Sequence, residues 1–122
     1  MRLDVLLFAG SIGFAAAGAF AADNLGAPPG DAERGKKIYM QQLCYTCHGT
    51  VGQGGERGAG PKIAPNPWPY AAFVQQTRKP RLVMVPYSDK NLPEQDLIDI
   101  YHYVLSIKPG SAAKDIPLLK DF

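Results

Sequence analysis

The chain has 122 residues, 46% of them hydrophobic and 20% charged, and 13 Lys and Arg against 11 Asp and Glu give a net charge of +2. That length is one domain, and so even a balance of charge gives no sign of the strongly basic surface that nucleic acid demands. Two Cys and two His, with His102 far from the rest, are a poor set for a zinc site, which needs four ligands.

The N-terminus reads as an export signal. Arg2 precedes an apolar stretch from Val5 to Phe20 that closes on Ala19-Phe20-Ala21, the small-residue pattern of a cleavage site, before the polar pair Asp23-Asn24. The stretch is shorter than the roughly 20 residues a membrane helix needs. Residues 1–21 are therefore expected to be a cleaved signal peptide, with no stable membrane insertion afterwards. A flexible lead-in is expected over 22–30, rich in Gly and Pro, and a domain over 31–108.

Asp31 suits the cap of a helix, and Glu33 in the first turn favours its positive end. The helix is expected over Ala32 to Leu43, and it delivers Cys44. Gly35 inside it costs about 1 kcal/mol against Ala, so its place there points to a close approach by another backbone. From Gly49 to Pro69 the chain is loop, punctuated by Gly52, Gly54, Gly55, Gly58 and Gly60, then by Pro61, Pro65, Pro67 and Pro69. Tyr70 to Thr77 is a short helix with Phe73 and Val74 inward. Arg78 to Lys90 is extended and broken by Pro80 and Pro86.

The last helix begins near Leu92-Pro93, with Glu94 and Asp96 at its positive end, and Leu97, Ile100, Tyr101, Val104 and Ile107 form one apolar face. Lys108-Pro109-Gly110 stops it. The tail, 109–122, carries Ile116, Leu118, Leu119 and Phe122 and is too apolar for a free-swinging end. About three to four helices, long Gly/Pro-rich loops and no convincing strand make a small all-α domain. So much loop needs something to order it, and a group bound in the middle would do so.

The run Cys44-Tyr45-Thr46-Cys47-His48 names that group. It is C-x-x-C-H, the attachment site of a c-type haem. Two thiols three positions apart add to the two vinyl groups of one porphyrin, and the histidine that follows lies beneath the iron. A thioredoxin-like motif would follow a βαβ pattern, whereas a helix precedes Cys44. A structural disulfide fits the spacing but leaves His48 unexplained. Thioether attachment takes place outside the cytoplasm, which agrees with the export signal and makes a bacterial periplasm the expected address. A mature chain of about a hundred residues builds a modest core. Haem is then part of the fold, and the apo form is expected to be largely unfolded.

The sixth iron position decides between electron transfer and small-molecule chemistry. Met1 leaves with the signal, and Met40 sits on the helix that delivers Cys44, on the wrong side for the distal face. His102 lies between Tyr101 and Tyr103 on the polar side of the last helix and reads as a solvated surface histidine. Met84 remains, in the extended, proline-flanked segment Leu82-Val83-Met84-Val85-Pro86-Tyr87. Its alternative reading is a gap-filling core residue.

Together these residues resemble the class I cytochromes c, which are monohaem and His/Met-ligated. Cys44-Tyr45-Thr46-Cys47-His48-Gly49 follows a helix, Gly60-Pro61 lies downstream, Met84 comes before a short polar stretch, and Leu97 to Val104 closes the domain. The resemblance covers about Asp31 to Ile107. It implies a small cytochrome c fold around one covalent haem c, with His48 and Met84 as axial ligands. It also implies that Gly35 marks the crossing of the first and last helices, near Tyr103, and that the Pro61 carbonyl accepts from the free ring nitrogen of His48. The family often has Met-Pro where this chain has Met84-Val85-Pro86.

The function so implied is periplasmic one-electron transfer by the outer-sphere route, not catalysis. A dehydrogenase would stand upstream and an oxidase or another cytochrome downstream. Trp68, between Pro67 and Pro69, is expected to pack on the haem or hold a propionate. Arg78, Lys79 and Arg81 put three cations just before Met84, available for a propionate or an acidic partner. One rival is a dedicated cytochrome subunit of a periplasmic dehydrogenase complex, docked through the apolar tail. The other is a haem enzyme or gas sensor with an open sixth position.

Overall fold

The computed structural model describes residues 25–56 and 59–119, and the expected signal peptide lies outside them. Among the described residues there is no strand. Four α-helices follow in order: α1 (Ala32–Gln41), α2 (Tyr45–His48), α3 (Tyr70–Arg78) and α4 (Glu94–Ser106). Two short 3-10 turns, Ala113–Asp115 and Pro117–Leu119, come after them. The protein is all-α, in keeping with a small cytochrome c fold.

Asp31 caps α1 as its position suggests, its carboxylate accepting from the Glu33 and Arg34 amides at 2.9 and 3.0 Å. The helix stops at Gln41, short of the expected Leu43. Leu43 takes a left-handed conformation, φ 59°, in a place where glycine is usual. The Leu43 amide then reaches Met40 O at 3.2 Å and the Cys44 amide reaches Tyr39 O at 3.1 Å, which closes the helix in a Schellman motif. Cys44 thus leaves the α1 axis and opens α2.

α1 crosses α4 at Gly35. A Cβ there would run into the backbone carbonyl of Asp99, so only glycine lets the two helices meet at this depth. Tyr39 and Tyr103 pack edge to face beside the crossing, ring centroids 5.3 Å apart. The core they join holds Ile38, Ala64, Leu92, Leu97, Ile100 and Val104, and burying each of the larger aliphatic side chains contributes about 1.5–3 kcal/mol.

One acid is buried at the same crossing. Asp99 is 1% exposed. One of its oxygens accepts from the Asp31 amide at 2.9 Å and Gln95 Nε2 at 3.0 Å, and the other accepts from Arg34 Nε. Arg34 also bonds Asp96, at 2.7 Å. Burial alone would push the Asp99 carboxyl up, but the Asp31 and Gln95 amides and the Arg34 guanidinium outweigh it and hold the group below the ordinary carboxylate range.

The loops are ordered by side chains that reach their carbonyls. The hydroxyls of Tyr39, Tyr103 and Tyr101 donate to Gly49, Thr50 and Trp68, each at 2.7 Å, and that of Tyr87 donates to Gln42 at 2.8 Å. His102 belongs to this set. It was expected on the solvated face, yet it is half-buried and its Nε2 bonds the Pro28 carbonyl at 2.7 Å. The stretch 25–30, expected to be a loose lead-in, packs through the same contact. Ala27 is buried, Leu25 O accepts from the Tyr70 amide at 3.0 Å, and Gly30 lies against Ile98 and His102. In the tail, residues 109–118 keep their side chains largely outside, with Leu118 86% exposed.

Candidate haem site

The attachment motif occupies α2 and its first flank. The Cys47 and His48 amides both bond Cys44 O, at 3.3 and 3.0 Å, and Thr46 Oγ1 bonds Leu43 O at 2.7 Å. One helical turn therefore sets the two thiols on the same side, as i and i+3 on any helix. Both are free cysteines. Burial pushes the Cys44 thiol up to about 11, so it stays protonated at neutral pH and makes a poor thiol–disulfide reagent. Among the described residues no cluster of three or more His, Cys, Asp and Glu is placed to hold a metal ion.

The glycine-rich loop lies directly on this turn. Cβ atoms at Gly55 or Gly60 would collide with the Cys47 carbonyl, and the Gly54 amide bonds His48 O at 2.8 Å. That backbone approach delivers the residue after Gly60. Pro61 O lies 2.8 Å from His48 Nδ1. A carbonyl only accepts, so Nδ1 carries the proton, and in the neutral ring Nε2 is the nitrogen with the lone pair, held in a fixed direction. Cys44, Cys47, His48 and Pro61 are thus one constellation. Free thiols a turn apart and a histidine in the ligating tautomer suit a covalently attached haem.

Met84 comes from another quarter. It is half-buried in the segment between α3 and α4, and Gln76 Nε2 lies 3.8 Å from its sulfur. The segment is tied to the motif's shoulder by Tyr87, whose hydroxyl bonds Gln42 O. Burial first, and then the Cys44 thiol beside it, push the Tyr87 phenol up. Arg78, expected among the rim cations, is spent inside instead. Its Nη1 donates to Tyr87 O at 3.0 Å and to Leu92 O at 2.7 Å, and Nη2 pairs with Asp89 at 3.1 Å. Lys79 and Arg81 stay exposed. Trp68 is 62% exposed, and its carbonyl, not its ring, is engaged with Tyr101.

Sequence reasoning missed Gln76 and Tyr87, which carry no motif of their own. Met84 offers a faint signal for Gln76: an amide on the helix just before a candidate ligand loop is placed to reach back to it.

No helix of the described residues is long and apolar enough to cross a membrane. No solved structure gives a significant match to the chain. Residues 30–104 match the family described as Cytochrome C oxidase, cbb3-type, subunit III, a span that runs from the start of α1 through nearly all of α4. Such a domain is an electron-transfer c-type cytochrome, works with redox partners and carries covalently attached haem c. With the motif, the His48–Pro61 contact and that match in agreement, the chain belongs to the Cytochrome C oxidase, cbb3-type, subunit III family.

Proposed function

We propose that the chain is a monohaem class I cytochrome c, exported by cleavage of residues 1–21, that carries single electrons in the periplasm. The upstream partner is a dehydrogenase and the downstream one an oxidase or another cytochrome. The observation that carries this reading is the 2.8 Å contact between His48 Nδ1 and Pro61 O, which prepares Nε2 as an axial ligand. Bound haem c supplies a one-electron Fe(II)/Fe(III) couple.

The residues around it have separable tasks. Cys44 and Cys47 would tether the macrocycle through thioethers, Pro61 orients His48, and Met84 would offer a soft sulfur that favours the reduced state. With His48 and Met84 both holding the iron, no position would be left for a substrate, and the group would supply outer-sphere electron transfer only. Trp68 stands as the surface aromatic for a propionate or the ring edge, and Lys79 and Arg81 as the cations that meet an acidic partner.

The decisive experiment is the optical spectrum of the full-length holoprotein with and without Met84→Ala. The wild type is expected to be low-spin, with the weak sulfur-to-iron band in the far red. The variant is expected to turn high-spin and to bind carbon monoxide in the ferrous state. A wild type that already binds carbon monoxide rapidly would instead identify an enzyme or sensor with an open sixth position.

A second reading is favoured by the family's own description, which names an oxidase subunit. Here the chain is a fixed subunit of a larger redox complex, held through the exposed tail around Leu118. Size exclusion of native extracts separates the two: a carrier elutes near its own mass, a subunit with its complex.

A further inference from the structure

The Met84 loop turns back on one side chain. Gln76 lies in the last turns of α3 and is half-buried. Its Oε1 accepts from the Arg81 amide at 3.4 Å, while its Nε2 faces the Arg81 carbonyl at 3.5 Å and the Met84 sulfur at 3.8 Å. A carboxamide has one acceptor oxygen and two N–H donors, so a single side chain makes all three contacts at once. It brackets Leu82 and Val83, which are 98% and 91% exposed, with Leu82 held at φ 62°. Those two residues bring little packing of their own to the loop.

Resting on the reading of Met84 as an axial ligand, we propose that Gln76 is the positioning residue of that ligand. It fixes the thioether's orientation through Arg81 and donates an N–H to its sulfur. A thioether sulfur has two lone pairs: one is for the metal, and the other takes the amide hydrogen. The hydrogen bond draws electron density from the sulfur and makes it a weaker donor. Fe(III) needs that density more than Fe(II) does, so the contact raises the reduction potential. The neighbouring holds on the same segment act at other points. Thr77 O accepts from the Tyr87 amide at 3.0 Å, and Arg78 binds Tyr87 O and Leu92 O. Of these three consecutive residues, Thr77 acts through its backbone carbonyl and Arg78 through its guanidinium, and Gln76 is the one that meets the sulfur.

The test uses the full-length holoprotein with Gln76→Leu and Gln76→Glu. Leucine removes every polar contact at similar size. Glutamate at neutral pH still accepts from the Arg81 amide but has no hydrogen for the sulfur. Both variants are expected to lower the reduction potential and to lose the sulfur-to-iron band at a lower temperature than wild type, while the helical circular dichroism melts where it did before. A residue that merely stiffened the loop would leave the potential unchanged or move the band and the helix melt together, and either result overturns the proposal. Met84→Ala runs alongside. If it abolishes the low-spin spectrum while the Gln76 variants match wild type, the role of Gln76 alone falls. If Met84→Ala leaves that spectrum intact, the ligand reading falls first and takes the proposal with it.

Discussion

The α1–α4 crossing, which leads into Cys44, and the Met84 loop are held by unlike forces. At the crossing, two helices meet backbone to backbone, and Tyr39, Leu97, Ile100 and Val104 are each at most 2% exposed. In the loop, Leu82 and Val83 are almost wholly exposed, and the last turn of α3 does the holding through hydrogen bonds. Close packing resists change down to a single methylene and fails as a unit. Hydrogen bonds contribute about 1 kcal/mol each and open locally. The attachment side is thus fixed by the core, whereas the sulfur side is latched and is the part that yields first.

The comparison breaks most directly at Gly35. Gly35→Ala puts a methyl group into the Asp99 carbonyl, and neither helix can retreat without parting Tyr39 from Tyr103. A loss of about 3 kcal/mol is expected, the upper end for an overpacked core. It should appear as a lower denaturant midpoint for the helical signal and the haem spectrum together. A midpoint that hardly moved would mean the crossing is looser than the contact implies.

Asp99 tests the same side with a charge. Asp99→Asn keeps the shape but removes the carboxylate that Arg34 and the Asp31 amide address, for a cost of about 2 kcal/mol. The sign against pH follows from the depressed pKa of Asp99 in the folded state. The stabilisation is complete above the ordinary carboxylate pKa of about 4 and disappears as the pH falls through the lower folded value. Denaturation from pH 7 to pH 2 should therefore show wild type and variant converging below about pH 4. Curves that stay parallel to the acid limit would show that Asp99 is not ionised at the crossing.

How much of this was legible beforehand divides along the same line. The haem motif, the cap at Asp31, the close approach at Gly35 and nearly the whole of α4 follow from local chemistry and from a 3.6-residue period. What the sequence hides is long-range and polar. Tyr101 on an apolar helix face reads as core, which it is, but its hydroxyl's destination is a loop carbonyl 33 residues away. Arg78 reads as a surface cation because nothing local marks the carbonyls of Tyr87 and Leu92 as its partners. Nothing in a leucine signals the left-handed backbone that Leu43 adopts, so the sequence predicts a helix on to Leu43 where the fold ends α1 at Gln41.

Arg78 gives the matching test on the loop side. Arg78→Ala leaves the Tyr87 and Leu92 carbonyls without their guanidinium partner but removes nothing from the crossing. Global stability should drop by about 1–2 kcal/mol. Amide hydrogen exchange should rise by a larger factor at Tyr87 and Asn91 than at Ile38 or Ile100. Equal acceleration at all four would show that loop and crossing open as one unit, and the contrast between them would be lost.

The smallest effect is expected at Leu43, which sits on the boundary between the two. Its left-handed φ costs about 1–2 kcal/mol, which glycine would relieve. Glycine brings back about 0.5–1 kcal/mol of chain entropy and forfeits about 1 kcal/mol of burial, since Leu43 is already 56% exposed. The terms nearly cancel, so Leu43→Gly should lie within about 0.5 kcal/mol of wild type in denaturant titrations of the holoprotein. A clear loss would carry its own message. Backbone strain cannot produce it, so the missing stability would have to come from the leucine side chain itself, and therefore from a surface that covers it one residue before Cys44.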